Sequence, residues 1–184
     1  GTAQTREDIV LWVGRLEHTK NPLLALHSFA QSELVDRFKL FFLGAGSLRE
    51  KIVKEIARLG LLDRVELLGH VDQRRLAEYL RQAKILIHTS FFEATPKIFL
   101  EAFACGMNVV AHERNDPEAL CLLGPQGLRA HQYSPRGFSA ALNQSAEFFS
   151  DSISTVPLDS RRASQVVPWL EGVISTHFTA TSSE

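Results

Sequence analysis

The sequence contains little cysteine, and its cysteines are not spaced for a metal or redox site. Cys105 and Cys121 are the two cysteines among 184 residues, and they do not form a Cys-x-x-Cys pair. The seven histidines are scattered and no Asp-x-Asp pair occurs, so a metal site of the carboxylate type lacks its ligands. We therefore expect no metal ion and no other cofactor. Free cysteines of this kind suit a reducing, cytoplasmic setting.

The glycine spacing of a dinucleotide site is also missing. The first apolar run is followed by GRLEHTKN (14–21), which has one glycine where a dinucleotide-binding turn has three. GAGSLR (44–49) contains Gly-x-Gly, but Arg49 stands where the third glycine belongs. We interpret this stretch as a tight turn into a capped helix. A Gly-x4-Gly-Lys-Ser/Thr phosphate loop is absent as well.

Neither a basic excess nor a long apolar run is present. The 20 basic and 21 acidic residues give a net charge of -1, which does not suit wholesale binding to nucleic acid. No apolar run approaches the ~20 residues that a transmembrane helix needs, so we expect no membrane-spanning segment. Association of a longer protein with a membrane surface stays open, since the chain begins at Gly1 and reads as a piece of something larger.

Short apolar runs alternate with helical patterns along most of the chain. Runs that are apolar on both faces are typical of a parallel sheet covered by helices. We predict a doubly wound, Rossmann-like α/β domain over residues 1–150. Its strands, about six, are expected at 8–14, 37–44, 64–69, 83–90, 108–112 and 127–131. Residues 151–184 are predicted to hold a linker and a C-terminal helix, near 159–178, that packs on the domain.

Capping residues mark where the predicted helices begin and end. A capping side chain directly before a proline is typical of a helix start. This pattern occurs at Asn21-Pro22, Thr95-Pro96, Asp116-Pro117 and Ser134-Pro135. A capping box is predicted from Ser47 to Glu50, and Gly60 is expected to end that helix.

Two basic residues follow the first predicted strand, where a doubly wound sheet binds its ligands. Arg15 offers a planar fork for phosphate oxygens, and Lys20 offers a mobile point charge. On their own, two basic loop residues are usually solvated surface charge.

The stretch SFFEATPKIFLEAFACG (90–106) favours an anion site after the fourth strand. Its two glutamates, Glu93 and Glu101, could be a catalytic pair, ligands of one molecule or surface charge. If a helix begins at the Thr-Pro step, the backbone N–H groups of Lys97 and Ile98 point out of its start and can bind an anion. A diphosphate with a hydroxyl-bearing group at each end would fit, because carboxylates accept hydrogen bonds from hydroxyls.

These residues resemble a known family. GRLxxxK after the first strand and SxxExxxxxxxEAxACG after the fourth resemble the C-terminal, donor-binding domain of retaining glycosyltransferases with the GT-B fold. That family is the glycosyl transferases group 1, or glycosyltransferase family four. GHV (69–71), AKILIHTS, EAFACG and DPEAL are similar to its other stretches. The resemblance implies sugar transfer from a nucleoside diphosphate sugar to an acceptor, with retention of configuration, in polysaccharide or glycolipid biosynthesis.

The resemblance also implies a role at the donor for seven residues of this chain. Those at the diphosphate are Arg15, Lys20, Lys97 and Ile98, while Glu93 is at the sugar, Glu101 at the ribose and Val71 at the base. The family works without a metal, so cationic side chains and the helix start must stabilise the leaving diphosphate. Arg15, Lys20 and Glu93 are therefore the expected catalytic residues, although Glu93 is not assigned as a nucleophile.

Three departures from the family's pattern keep a second interpretation open. They are Ala94-Thr95, Asn108 and Asn115-Asp116, and they bear on the identity of the sugar and on whether transfer occurs. The alternative is a non-catalytic nucleotide-sugar-binding module that regulates a partner. Because the family binds its acceptor on an N-terminal domain that these residues do not encode, we expect a donor half that is inactive or nearly so alone.

Overall fold

A computed structural model describes residues 6–91, 97–112, 114 and 126–147. Its strands are β1 (Glu7–Val13), β2 (Lys39–Leu43), β3 (Val65–Gly69), β4 (Ala83–His88), β5 (Asn108–His112) and β6 (Gly127–Ala130). Its α-helices are α1 (Pro22–Ala30), α2 (Arg49–Arg58), α3 (Gln73–Gln82), α4 (Lys97–Ala104) and α5 (Pro135–Glu147). Short 3-10 helices cover His18–Lys20 and Glu33–Asp36.

The strands form one parallel sheet in the order β3-β2-β1-β4-β5-β6. In the register of the sheet, Val10 of β1 pairs with Leu40 of β2 on one side and with Ile85 of β4 on the other. The chain therefore winds outward in both directions from β1 and β4, and a crevice for ligands is expected between them at the carboxyl edge. The predicted doubly wound, Rossmann-like sheet of about six strands is confirmed.

Alternate residues of each strand pack into separate cores on the two faces of the sheet. In β1, Val10 and Trp12 lie in the core formed with α1, α2 and α5. Ile9 and Leu11 lie in the core formed with α3 and α4. Both faces are thus covered by helices, which explains why most residues of the strands are apolar.

The helix boundaries confirm several of the predicted capping residues. α1 begins at Pro22, and the side chain of Asn21 accepts a hydrogen bond from the Leu24 N–H at 3.4 Å. α5 begins at Pro135, and the Ser134 hydroxyl accepts from the Gly137 N–H at 3.2 Å. The Thr95-Pro96 and Asp116-Pro117 steps lie outside the described residues, as does the predicted C-terminal helix.

The end of α2 also agrees with the prediction. Gly60 follows the helix with a left-handed φ of +70°, which a glycine adopts without strain. The next residue, Leu61, donates its N–H back to the Ile56 carbonyl at 3.0 Å. This bond satisfies one of the helix's last carbonyl groups.

The predicted capping box at Ser47 is wrong. α2 begins at Arg49, and no side chain caps its first turn. The loop after β2 instead packs against the loop after β1, where the Leu48 N–H donates to the Leu16 carbonyl at 2.9 Å. A Cβ at Gly46 would lie 2.5 Å from that same oxygen, so this glycine permits a close approach of two backbones. The turn predicted for GAGSLR is present, with the Arg49 N–H donating to the Gly46 carbonyl at 3.2 Å, but the helix that follows it lacks the predicted cap.

Thr89, which directly follows β4, connects three segments at the carboxyl edge. Its hydroxyl accepts the indole N–H of Trp12 at 2.9 Å. The single hydrogen of the same hydroxyl is shared between the carbonyl oxygens of Lys20 and Asn21, which lie 3.0 and 2.9 Å from the hydroxyl oxygen. Its carbonyl accepts the Tyr133 hydroxyl at 2.8 Å. These bonds hold the β1–α1 loop and the loop after β6 against the end of β4.

We expect Thr89→Val to destabilise the fold, because it leaves the buried Trp12 indole N–H without its acceptor. Such a loss costs about 1–3 kcal/mol, measured as the free energy of unfolding in urea by circular dichroism. Thr89→Ser is the matched control, since it keeps the hydroxyl and should cost only the ~1 kcal/mol of a buried methyl group. Equal stability of the valine variant and the wild type would contradict the role given to this hydroxyl.

Candidate functional site

Two cations lie together where the β1–α1 loop meets the end of β4. Arg15 is exposed and Lys20 is half-buried, and the two charges act on each other. The charge of Lys20 also lowers the pKa of His88, the last residue of β4. The Phe91 N–H donates to the Thr19 carbonyl at 3.3 Å, which keeps this loop beside the segment that follows β4. The structure thus places Arg15 and Lys20 in one loop at the carboxyl edge, and their role at a diphosphate stays a prediction.

The environment of Lys20 disfavours the charged form of its own side chain. Burial lowers the pKa of the Lys20 ammonium, and the nearby charge of Arg15 lowers it further. Glu17 opposes this shift. A negatively charged group in the crevice would relieve the repulsion between the two cations.

His88 lies beneath this loop without adding a charge to it. The residue is buried, and its ring packs edge-on against Phe99 of α4, with 4.9 Å between the ring centroids. Burial lowers the pKa of His88 to about 3, and the charge of Lys20 contributes in the same direction. The imidazole is consequently neutral at pH 7, and it contributes packing between β4 and α4.

The described part of the double-glutamate stretch lies on α4. Lys97 is exposed and Ile98 is half-buried at the first two positions of α4. Because α4 connects two parallel strands, its first residues lie at the carboxyl edge of the sheet. Glu101 is half-buried and lies about 6 Å further along the axis at ~1.5 Å per residue. Its Cα–Cβ bond tilts toward the helix start, and therefore toward the same edge.

Val71 lies on the same face of the sheet as α4. It follows β3 by two residues, and it packs with Ile98 against the core formed by α3 and α4. Glu93 lies outside the described residues. Val71, Ile98 and Glu101 thus lie on the face of the sheet that α3 and α4 cover, toward its carboxyl edge. The roles implied for these residues remain predictions.

Tyr133 is a residue of this edge that the sequence did not indicate. Its hydroxyl accepts a hydrogen bond from the Asn21 side-chain amide at 3.2 Å. Its ring packs edge-on against those of Phe91, His112 and Phe138, at centroid distances of 5.3, 5.4 and 6.0 Å. Burial raises the pKa of the Tyr133 hydroxyl, which stays protonated at pH 7. A tyrosine in a polar loop carries no pattern that could predict contacts so distant in sequence.

Glu17 was also missed, although it stands in the motif that carries Arg15 and Lys20. One guanidinium nitrogen of Arg15, Nη1, lies 3.2 Å from each carboxylate oxygen of Glu17. The sequence signal was the charge itself, a glutamate between two basic residues. Which of the two basic residues Glu17 pairs with depends on how the loop turns, and this is not readable from the sequence.

The described residues contain no cluster of three histidine, cysteine, aspartate or glutamate side chains with the geometry of a metal site. The helices described here are also too short or too polar to span a lipid bilayer. Action without a metal stays a prediction.

Comparisons with known proteins agree with this architecture. Over 99 residues the chain is 32% identical to a Campylobacter jejuni enzyme, GalNAc-α-(1→4)-GalNAc-α-(1→3)-diNAcBac-PP-undecaprenol α-1,4-N-acetyl-D-galactosaminyltransferase. That alignment covers 53% of this chain and 26% of the enzyme. The chain therefore spans about a quarter of the length of this relative.

Solved structures share the fold at low sequence identity. Anabaena HepE, determined in complex with UDP and glucose, superimposes with a TM-score of 0.71 and 21% identity, over 95% of this chain and 49% of HepE. The C-terminal domain of a group 1 glycosyl transferase from Francisella tularensis superimposes with a TM-score of 0.68 and 13% identity, over 95% of this chain and 88% of that domain. The sheet and its helices thus match the C-terminal domains of GT-B glycosyltransferases.

The sequence as a whole matches one family. Residues 2–147 fit the profile of the family described as Glycosyl transferases group 1. The matched range includes every described strand and helix and both motifs that carry the resemblance. The chain belongs to the glycosyl transferases group 1 family.

Proposed function

We propose that this chain is the donor-binding part of a glycosyltransferase that uses a nucleoside diphosphate sugar and transfers the sugar with retention of configuration. The observation that carries the proposal is the pair of cations at the β1–β4 crevice. Arg15 and Lys20 come from one loop, which the Thr89 hydroxyl holds beside the end of β4. The UDP and glucose in the similar HepE structure support a donor of this class.

The proposed donor extends along the carboxyl edge from the loop to α4. Its diphosphate lies between Arg15 and Lys20 on one side and the backbone N–H groups of Lys97 and Ile98 on the other. Glu101 accepts hydrogen bonds from the ribose hydroxyls. The base lies beside Val71, and the sugar lies at Glu93.

These groups provide the electrostatic part of catalysis. As the glycosidic bond to the diphosphate breaks, negative charge grows on the leaving oxygen. Fixed cations and helix N–H donors stabilise that charge without a metal ion. Because the His88 imidazole is neutral, it adds no positive charge to that of Arg15 and Lys20. In this scheme Glu93 orients the donor sugar, and no protein nucleophile is assigned.

The acceptor is proposed to bind to a different domain of a longer protein. The chain spans 26% of the Campylobacter jejuni relative and 49% of HepE. Group 1 enzymes of the GT-B fold react in a cleft between two domains, so the donor half alone lacks half of the reacting geometry. A non-catalytic module that binds nucleotide sugars and regulates a partner is the alternative.

Glu101→Ala should weaken the binding of UDP and of uridine alike, because both present the ribose. A hydrogen bond to a charged group contributes about 1.5–3 kcal/mol, which corresponds to roughly a 10- to 150-fold loss at 1.4 kcal/mol per decade. Isothermal titration calorimetry measures both ligands. Glu33→Ala, at the opposite edge of the sheet, is the control. Unchanged affinity in a folded Glu101 variant would remove the ribose assignment.

Arg15→Ala should weaken UDP roughly 10-fold or more and leave uridine almost unchanged, since only UDP presents phosphate oxygens. The same titrations with EDTA should give equal affinities, because the proposed site needs no metal. Arg58→Ala removes a similar charge at the far end of α2 and serves as the control. Binding that disappears in EDTA and returns with magnesium would contradict the proposal.

The isolated chain should bind a matching donor and transfer its sugar poorly or not at all. Alignment of donor and acceptor can contribute about 7–11 kcal/mol of barrier lowering, and half of that alignment comes from the second domain. The test incubates the purified chain with nucleotide sugars and a panel of sugar and lipid acceptors, and follows released diphosphate and product. Robust turnover by the chain alone would refute the donor-half proposal. Turnover by the full-length protein would exclude the regulatory alternative.

A further inference from the structure

Arg15, the exposed cation of the proposed diphosphate site, is bound by a carboxylate of its own loop. Its Nη1 lies 3.2 Å from both Oε1 and Oε2 of Glu17. The Arg15 side chain is 70% exposed and that of Glu17 is 37% exposed. The pair is therefore open to solvent and to a ligand. Exposed pairs of this kind are weak, so a competing anion can separate them.

Main-chain hydrogen bonds hold Glu17 in the turn that carries the two cations. Its N–H donates to the Arg15 carbonyl at 2.8 Å, and its own carbonyl accepts the N–H groups of Lys20 and Asn21 at 3.1 and 3.2 Å. The Glu17 carboxylate also favours the charged form of Lys20 by electrostatic attraction. The carboxylate consequently stays near both cations even when a ligand has displaced it from Arg15.

We infer that Glu17 is an internal counter-ion that competes with the diphosphate for Arg15 and sets how tightly the site holds it. The inference rests on the proposed function. A diphosphate that binds Arg15 must displace the carboxylate, and the displaced charge then repels the phosphates at short range. Glu17 thereby lowers the affinity for the nucleoside diphosphate product as well as for the donor. Weaker binding of the product favours its release, a step that limits turnover in many enzymes.

Glu17→Gln tests this assignment, because it keeps the size of the side chain and removes its charge. Calorimetry at low salt should show UDP binding roughly 2- to 5-fold tighter than in the wild type, within the range expected for exposed charges. The gain should be smaller for UMP and absent for uridine, since it depends on phosphate charge. It should also shrink as salt rises.

The control is Glu33→Gln, which removes one negative charge at the opposite edge of the sheet. It should leave the UDP affinity unchanged. An equal gain from Glu33→Gln would assign the effect to net charge and overturn the role of Glu17. Unchanged or weaker UDP binding by a folded Glu17→Gln variant would overturn it too, and so would an equal gain for uridine.

Inorganic pyrophosphate separates this inference from the proposed function. It offers the phosphate oxygens without ribose or base, so it probes the loop independently of the nucleotide. Tighter pyrophosphate binding by Glu17→Gln would support the counter-ion role even if the wild type failed to bind UDP, which would refute the nucleotide assignment. Pyrophosphate binding that is the same in both proteins would overturn the role of Glu17.

Discussion

The Thr89 hydroxyl joins the first and fourth strands at the point where their order in the sheet reverses, and the geometry of the carboxyl edge depends on that junction. It accepts from the indole of Trp12 inside the core and donates to the backbone of the loop that carries Lys20. Tyr133 adds the loop after β6 through the Thr89 carbonyl. A buried hydroxyl with all its partners satisfied is costly to disrupt. The proposed site is therefore anchored in the interior of the domain.

The charges at this edge are balanced within a single short loop. Arg15 and Lys20 repel each other, Glu17 offsets part of that repulsion, and burial keeps His88 neutral. Such a loop attracts anions while it remains compatible with a net charge of -1 for the whole chain. The proposed binding of phosphate thus rests on a few residues of one loop, and the overall charge of the protein gives no indication of it.

The sequence by itself determined the fold and the position of the edge. Strands that are buried on both faces are apolar at most positions, so the six runs were readable without any tertiary information. Helix starts at Asn21 and Ser134 and the end at Gly60 were predictable because capping depends on neighbours in sequence. Arg15 and Lys20 could be assigned to the crevice for the same reason, since both follow a readable strand.

Only the tertiary structure decided which distant groups meet. The cap predicted at the start of α2 is absent because the backbone at Leu16 packs against the loop at Gly46. A contact between two loops has no local signature in the sequence. Tyr133 reaches Asn21 across 112 positions of sequence. The sequence shows the charge of Glu17, but its ion pair with Arg15 depends on how the loop turns. Local propensity and periodicity are encoded by neighbouring residues, whereas these pairings exist only once the sheet brings the loops together.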